Sequence, residues 1–277
     1  MTKSILITGD SGFIGSYLSP FFAKNGFSLL GKGVDDSFPE KSVDYVIHCA
    51  SQQPRPQLDF GDYSKGNVDS LIQTLDWMKE KGIKKIISFS SATVYADADG
   101  DTLFEGSRLD PCSDYAISKL AADQILKVRS EQDRLTSICF RMPSVFGPKQ
   151  EGGIVQTYYN FANKNVDFDI FSEGKLKRNL LYIEEIGQVC EKGIRSFDSL
   201  DGFNLYLLGS SNSLTMEEIA RKMVACTGSR SKIVLSKKKA PVEINWVFCL
   251  DKLKKELAFV PQTIESGLLR YVKEMKG

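Results

Sequence analysis

The chain has 277 residues, of which 42% are hydrophobic and 26% charged, and its formal net charge is +1. That length suits one large α/β domain with an appended lobe. A near-neutral balance gives no field to hold nucleic acid or an anionic membrane, so any phosphate binding must come from local groups. No apolar run is long enough to span a bilayer. The N-terminus enters a strand at once, leaving no room for a signal peptide, and a cytoplasmic location is expected.

In chain order, Ser4–Thr8 reads as a buried strand ending in a glycine-rich turn. Residues 13–25 read as a helix, with Phe13, Ile14 and Leu18 on its apolar side. Strands follow at Phe27–Leu30, Val43–Ala50, Lys85–Ser90 and Leu135–Arg141, with helices at 65–81 and 113–130 between them. Strands alternating with helices imply a parallel sheet covered on both faces. The link from Leu30 to Ser42 is too short for a comfortable crossover helix and is expected to be trimmed. Beyond Gly147-Pro148 the pattern loosens into helices near 153–164, 184–196, 215–227 and 263–275 and short strands near 168–171, 203–207 and 232–235. The expected division is a dinucleotide-binding domain over 1–148 and a smaller lobe over 149–277, interleaved with the end of the sheet.

The six cysteines are scattered and there is one histidine, so no metal site is expected. Cys49 and Cys139 lie in apolar runs, where a buried inert thiol is the plain reading.

Two local patterns carry chemistry. Thr8-Gly9-Asp10-Ser11-Gly12-Phe13-Ile14-Gly15 follows a strand and opens a helix. In that context Gly9 permits a tight turn, Gly12 lets backbone approach a pyrophosphate, and Gly15 lets the helix pack on the strand. The helix start offers free N–H groups and a positive dipole to phosphates. Separately, of ten tyrosines only Tyr115 has a lysine four residues later, Lys119. On a helix the two share a face, so the ammonium is expected to draw the phenol below its usual value of about 10. Such a tyrosine can give or take a proton.

The glycine turn, the segment Ser90-Ser91-Ala92-Thr93-Val94-Tyr95 after the fourth strand, and Pro111-x-Ser113-x-Tyr115-x-x-Ser118-Lys119 together resemble the extended short-chain dehydrogenase/reductase family, in its nucleotide-sugar epimerase/dehydratase/reductase group. The likeness continues through Ile47-His48-Cys49-Ala50-Ser51, Asn67-Val68, Arg141-x-Pro143-x-Val145-Phe146-Gly147-Pro148 and Arg178-Asn179-x-x-Tyr182. It implies a Rossmann-type doubly wound sheet with a C-terminal substrate lobe.

The resemblance implies a catalytic set of Ser91, Tyr115 and Lys119. Ser91 binds the sugar oxygen, Tyr115 is the acid/base, and Lys119 tunes Tyr115 and binds the nicotinamide ribose. Gly9, Ser11, Gly12, Phe13, Ile14, Lys32, Cys49, Ala50, Ser51, Asn67 and Pro143 would line the cofactor with Tyr115 and Lys119. Ala92, Thr93 and Arg178 would join Ser91 and Tyr115 at the substrate, a nucleoside-diphosphate sugar, with Arg178 gripping its diphosphate. His48 would pack beneath the cofactor. By the family's spacing the acid that binds the adenosine ribose falls at Gly33, beside Lys32. That pattern favours NADP(H); the alternative is NAD served by Asp35. A homodimer through the helices at 65–81 and 113–130 is also implied.

Dehydratases of the group carry Asp-Glu where this chain has Ala92-Thr93, and epimerase–reductases carry a Cys where Ala92 stands. Two readings stay open: a 4-ketoreductase using NADPH, placed first, and a 4-epimerase with tightly held NAD. The competing class is a non-catalytic NAD(P)-binding regulator. Ala96 and Asn179 depart from the family's Gly and Asp, and Lys237–Lys239 or Lys252 are the candidates for a missing second arginine.

Overall fold

The computed structural model describes residues 2–33, 36–95, 102–240 and 245–276. Six parallel strands form the central sheet: β1 (Ser4–Thr8), β2 (Ser28–Lys32), β3 (Tyr45–His48), β4 (Lys85–Ser91), β5 (Thr136–Met142) and β6 (Phe203–Leu207). Their spatial order is β6-β5-β4-β3-β1-β2. This is a Rossmann-type α/β sheet lacking the strand that usually flanks β2. The short link read from the sequence accounts for the loss, because among the described residues no strand or helix lies between Lys32 and Tyr45.

Both faces are covered, as continuous apolar strands require. On one side α1 (Phe13–Lys24) and α5 (Ile183–Ser196) pack over Ile5, Ile7, Ile47 and Phe140. On the other, α2 (Ser70–Lys81) and α3 (Asp114–Asp133) pack over Leu6, Val46, Ile86 and Cys139. α3 is N-capped by Ser113, whose hydroxyl accepts from Ala116 N–H at 3.2 Å. That cap fixes where the Tyr115 turn begins.

The lobe adds α4 (Ile154–Asn163), α6 (Met216–Thr227), α7 (Asp251–Leu257) and α8 (Ile264–Lys276) with two-stranded ribbons. The helix at 251–257 is one that periodicity alone misses. Residues on both sides of 148 share one apolar cluster, from Ile5 and Phe140 through Tyr182 to Leu268. Strand β6 returns from the lobe to pair with β5, Leu205 opposite Cys139. Among the described residues no helix is long and apolar enough to cross a membrane.

Candidate active site

The glycine turn sits at the C-terminal edge of β1. Gly9 has φ +66°, and a Cβ there would lie 2.7 Å from the Ala50 amide nitrogen, so only glycine lets the turn close on the strand beside it. Gly12 N–H donates to Gly9 O at 3.0 Å. Gly15 has a different reason from the expected one. A Cβ there would collide with Gly9 O and lie 2.7 Å from Asp10 Cα, so it packs the helix on its own turn rather than on the strand. Helix α1 has Gly12 as its N-cap residue, with no side-chain cap and no acid in its first turn. Its first N–H groups and positive dipole end therefore face the edge uncapped, beside a backbone approach that a Cβ would block. These residues fit a dinucleotide diphosphate. Ser11 is exposed at the turn's tip, and Phe13 and Ile14 are half-buried behind it.

Cys49, Ala50 and Ser51 continue β3 past its end, with Cys49 N–H donating to Thr8 O at 3.0 Å. Burial lifts the Cys49 thiol above its ordinary range, which leaves it a packing residue. His48 is buried, its Nδ1 bonded to Thr8 Oγ1 at 2.9 Å and Thr74 Oγ1 at 3.2 Å. Burial first, then Lys119 and Lys32, push it down to about 3, so it stays neutral.

Asn67 ties the Ser51–Gln52 loop to helix α3. Its Oδ1 accepts from Ser51 Oγ at 2.7 Å and Gln52 N–H at 2.8 Å, and its Nδ2 donates to Ser118 Oγ at 2.9 Å. The turn that presents it is a π-helix over Ser64–Asp69; such turns recur at functional sites. Gly66 in that turn was not singled out from the sequence. A Cβ on it would meet Gln52 Cβ at 2.5 Å, so it admits the Ser51–Gln52 loop against the helix.

Ser91 ends β4 and Tyr115 stands in the first turn of α3. Thr93 Oγ1 donates to Ser91 Oγ at 2.9 Å, and Thr93 N–H also donates to it at 3.2 Å. The neighbouring Ser91 hydroxyl eases the ionisation of Tyr115. Thr93, expected at the substrate, is thus first a partner of Ser91. Ala92 is fully buried beneath them. The Tyr63 ring meets the Tyr115 ring edge-on at 5.9 Å, and its hydroxyl pins Arg55 through bonds of 3.1 Å to N–H and carbonyl.

The expected Lys119–Tyr115 coupling is absent from this arrangement. Lys119 Nζ donates to Phe89 O at 2.6 Å and Ser51 Oγ at 3.5 Å. Burial lowers its pKa, opposed mainly by Asp123. Tyr115 is pushed up to about 12, chiefly by burial, which the neighbouring Ser91 hydroxyl opposes. The phenol is therefore neutral at neutral pH, contrary to the lowered value that the spacing suggested.

A second buried set holds this region together. Arg141 Nε donates to Asp123 Oδ2 at 2.9 Å, both side chains 3% exposed, and Arg141 Nη1 donates to Tyr95 OH at 3.0 Å. It joins α3, one turn beyond Lys119, to the segment that carries Ser91. Pro143 is buried just past β5.

Lys32 does not stand ready for a phosphate. Its Nζ lies 4.7 Å over the Phe38 ring and donates to Gly33 O at 3.1 Å. Asp35 and Ala96 lie outside the described residues. Arg178 sits on a short ribbon, Lys177–Arg178 against Leu214–Thr215, with Nη1 donating to Lys177 O at 3.0 Å. Burial pushes Tyr158 up to about 12 and the Arg178 charge opposes it. Asn179 is buried as a brace, accepting from Ser210 N–H at 2.8 Å and donating to the Ser210 and Asn212 carbonyls at 3.0 and 2.9 Å. Lys252 is engaged with Leu205 O at 2.9 Å and the Tyr206 ring at 4.8 Å.

Residues 28–209 match the NAD dependent epimerase/dehydratase family. A putative UDP-glucose 4-epimerase of Methanocaldococcus jannaschii is 23% identical over 99% of this chain and 98% of its own length. A dTDP-4-dehydro-6-deoxyglucose reductase of Escherichia coli is 24% identical, over 88% of this chain and 92% of its own. An uncharacterised protein of Sinorhizobium fredii is 24% identical over 84% of this chain, which spans 63% of that protein's length. Among solved structures, a UDP-N-acetylglucosamine 4-epimerase from Methanobrevibacter ruminantium superposes with a TM-score of 0.86 at 21% identity, covering 99% of this chain and 98% of that one, a likeness of fold. The chain belongs to the NAD dependent epimerase/dehydratase family and is an enzyme of the extended short-chain dehydrogenase/reductase type, nucleotide-sugar group.

Proposed function

We propose that the protein is a nucleoside-diphosphate-hexose 4-epimerase that works on a retained NAD. One observation carries this reading. Ser91 stands beside Tyr115 with Lys119 one helical turn on, while Ala92 and Thr93 add no second acid and base. A dehydration would need that second pair. Ketoreduction, expected first, drew its support from the compact length, the shortened link after β2 and the absent ribose acid at Gly33 beside Lys32, and Lys32 is engaged with Phe38.

In this reading Tyr115 removes the proton of the sugar 4-hydroxyl and returns it after the sugar has turned over. A bound nicotinamide supplies the hydride acceptor and donor that the side chains lack. Ser91 holds the sugar oxygen, and Thr93 occupies the Ser91 lone pair so that the Ser91 proton points toward Tyr115. Lys119, released from the Phe89 carbonyl, supplies the charge that draws the phenol down for the deprotonating half. Arg178 grips the diphosphate. A homodimer through α2 and α3 would cover Ile117 and Val128, 42% and 48% exposed and three turns apart on one helix face.

A second reading, reduction of a 4-keto nucleotide sugar by NADPH, is favoured by the neutral state of Tyr115, since a proton donor must hold its proton. Denaturing the purified protein and identifying released nucleotide separates the two. The epimerase releases NAD at one per chain and interconverts UDP-hexoses with no added cofactor. A protein that releases none and steadily oxidises NADPH with a 4-keto nucleotide sugar is the reductase, and the proposal falls.

A further inference from the structure

Tyr115, Lys119 and Asp123 follow one another at intervals of four on α3 and line a single face of it. The first two belong to the proposed reaction. The third is just as buried, and the reaction as described makes no use of it. Its carboxylate does not pair with Lys119. Oδ2 accepts from Arg141 Nε at 2.9 Å and Oδ1 from the Cys139 thiol at 3.4 Å, so both oxygens are drawn across to β5. Arg141 is braced from its far side, with Nη1 donating to Tyr95 OH at 3.0 Å and the guanidinium 5.0 Å over the Tyr95 ring. Lys119 Nζ is thereby left to the Phe89 carbonyl and Ser51 Oγ. The other titratable groups that face Lys119 are neutral near neutral pH: His48 and Cys49 at the end of β3, Cys139 on β5 and Tyr115 on its own helix. Burial works to strip the Lys119 proton, and Asp123 is the foremost group opposing it. A carboxylate one turn along a helix is ordinarily free to close on a lysine. Held by Arg141 and Cys139, this one stays near enough to favour the ammonium and too far to capture it.

We infer that Asp123 and Arg141 are positioning residues of the reaction: Asp123 keeps Lys119 charged from one turn away, and Arg141 restrains the carboxylate so that the ammonium is free to turn from the Phe89 carbonyl to Tyr115. The inference rests on reading Tyr115 and Lys119 as the acid–base pair. The two partners act on Lys119 with opposite sign. Without the Asp123 charge, the buried Arg141 guanidinium is a bare like charge near Lys119 and favours the neutral amine. Without Arg141, the Asp123 carboxylate closes on Lys119 and favours the ammonium. A pair that served packing alone would give two losses of one kind.

The test is a titration of Lys119 in nucleotide-free protein whose lysines are isotopically labelled at Cε, read by nuclear magnetic resonance, with Lys119→Met assigning the signal. Asp123→Asn lowers the Lys119 midpoint by about one pH unit or more and Arg141→Met raises it by a similar amount, the scale of one nearby charge. Arg141→Lys restores the wild-type midpoint. Circular dichroism verifies that each variant is folded. Cys139→Val keeps the charges and nearly the volume but frees Oδ1 of Asp123, and it moves Lys119 in the direction of Arg141→Met by less. It decides the question where the two charge variants do not fold. In turnover of a UDP-hexose by the loaded enzyme, the alkaline limb of the pH profile, where Lys119 loses its proton, shifts in the same order. Midpoints that move the same way in Asp123→Asn and Arg141→Met overturn the inference, as does a midpoint that neither they nor Cys139→Val move. A wild type without turnover whose Lys119 still shifts in opposite directions in the two variants overturns the proposed function and not the charge balance.

Discussion

Lys119 Nζ donates to the Phe89 carbonyl at 2.6 Å, on the helix face that also carries Tyr115 one turn earlier. Its charge is spent on a strand carbonyl, and burial holds Tyr115 up at about 12. In nucleotide-free protein, Tyr115 should therefore add no phenolate absorbance below about pH 10, the value of an unperturbed tyrosine, with Tyr115→Phe as the baseline. Lys119→Met should leave that silence unchanged while lowering turnover of the loaded enzyme by about 10²–10⁴, the range of a lost acid–base device. Phenolate from Tyr115 near neutral pH without nucleotide would show that Lys119 tunes it directly in the resting protein.

Thr93 tests whether the segment after β4 works through Ser91. If Thr93 acts by bonding Ser91 Oγ, Thr93→Val should lower kcat/KM by about ten-fold, the scale of one hydrogen bond. In a Ser91→Ala background the same change should cost nothing further. Additive losses in the double variant would instead make Thr93 an independent substrate contact.

The Tyr115–Lys119 pair of the proposed catalytic set was legible in the sequence because its spacing is local. Tyr115 and Lys119 are one helical turn apart, and the glycine turn announces itself by the strand before it and the helix after it. What stayed hidden depends on distant segments meeting. Gly66 looks like an ordinary helix glycine until Gln52 is brought against it, and no periodicity marks the π-turn that presents Asn67. Asp36 reads as a loop acid until its carboxylate folds back on Gly33, and Lys32 reads as a free cation until Phe38 takes it. The link after β2 reads only as too short for a crossover helix; that the chain returns to pair beside β1 is known from the sheet order itself.

Asp123 and Arg141 should behave as a buried ion pair, 3% exposed on both sides. Asp123→Asn leaves the guanidinium without a counter-charge and should cost about 3–5 kcal/mol in urea unfolding. Arg141→Met should cost a similar amount, with the Tyr95 bond lost as well. The double variant Asp123→Leu/Arg141→Met should lose less than the sum of the two, because no buried charge is then left alone. Simple additivity would mean that the charges do not depend on each other.

Glu185 gives the fold a pH dependence of definite sign. It lies in the first turn of α5, 2% exposed, and its Oε1 accepts from Gln262 N–H at 2.6 Å. Burial pushes its carboxyl from 4.5 up to about 7; Glu184 adds to the rise, while the Gln262 bond and Arg270 oppose it. Below 4.5 both folded and unfolded chains hold the proton, and the contribution to stability is full. As pH rises from there through about 7, the unfolded chain releases the proton first, so this contribution is lost. At 1.36 kcal/mol per pKa unit the loss is at most about 3 kcal/mol. Glu185→Gln keeps the volume and the acceptor but removes the titration. Unfolding free energies of the two proteins at about pH 4.5 and about pH 8, on either side of this window, should show the variant gaining on the wild type as pH rises. A gap that stays constant across that range would place the Glu185 carboxyl at its ordinary value in the folded protein.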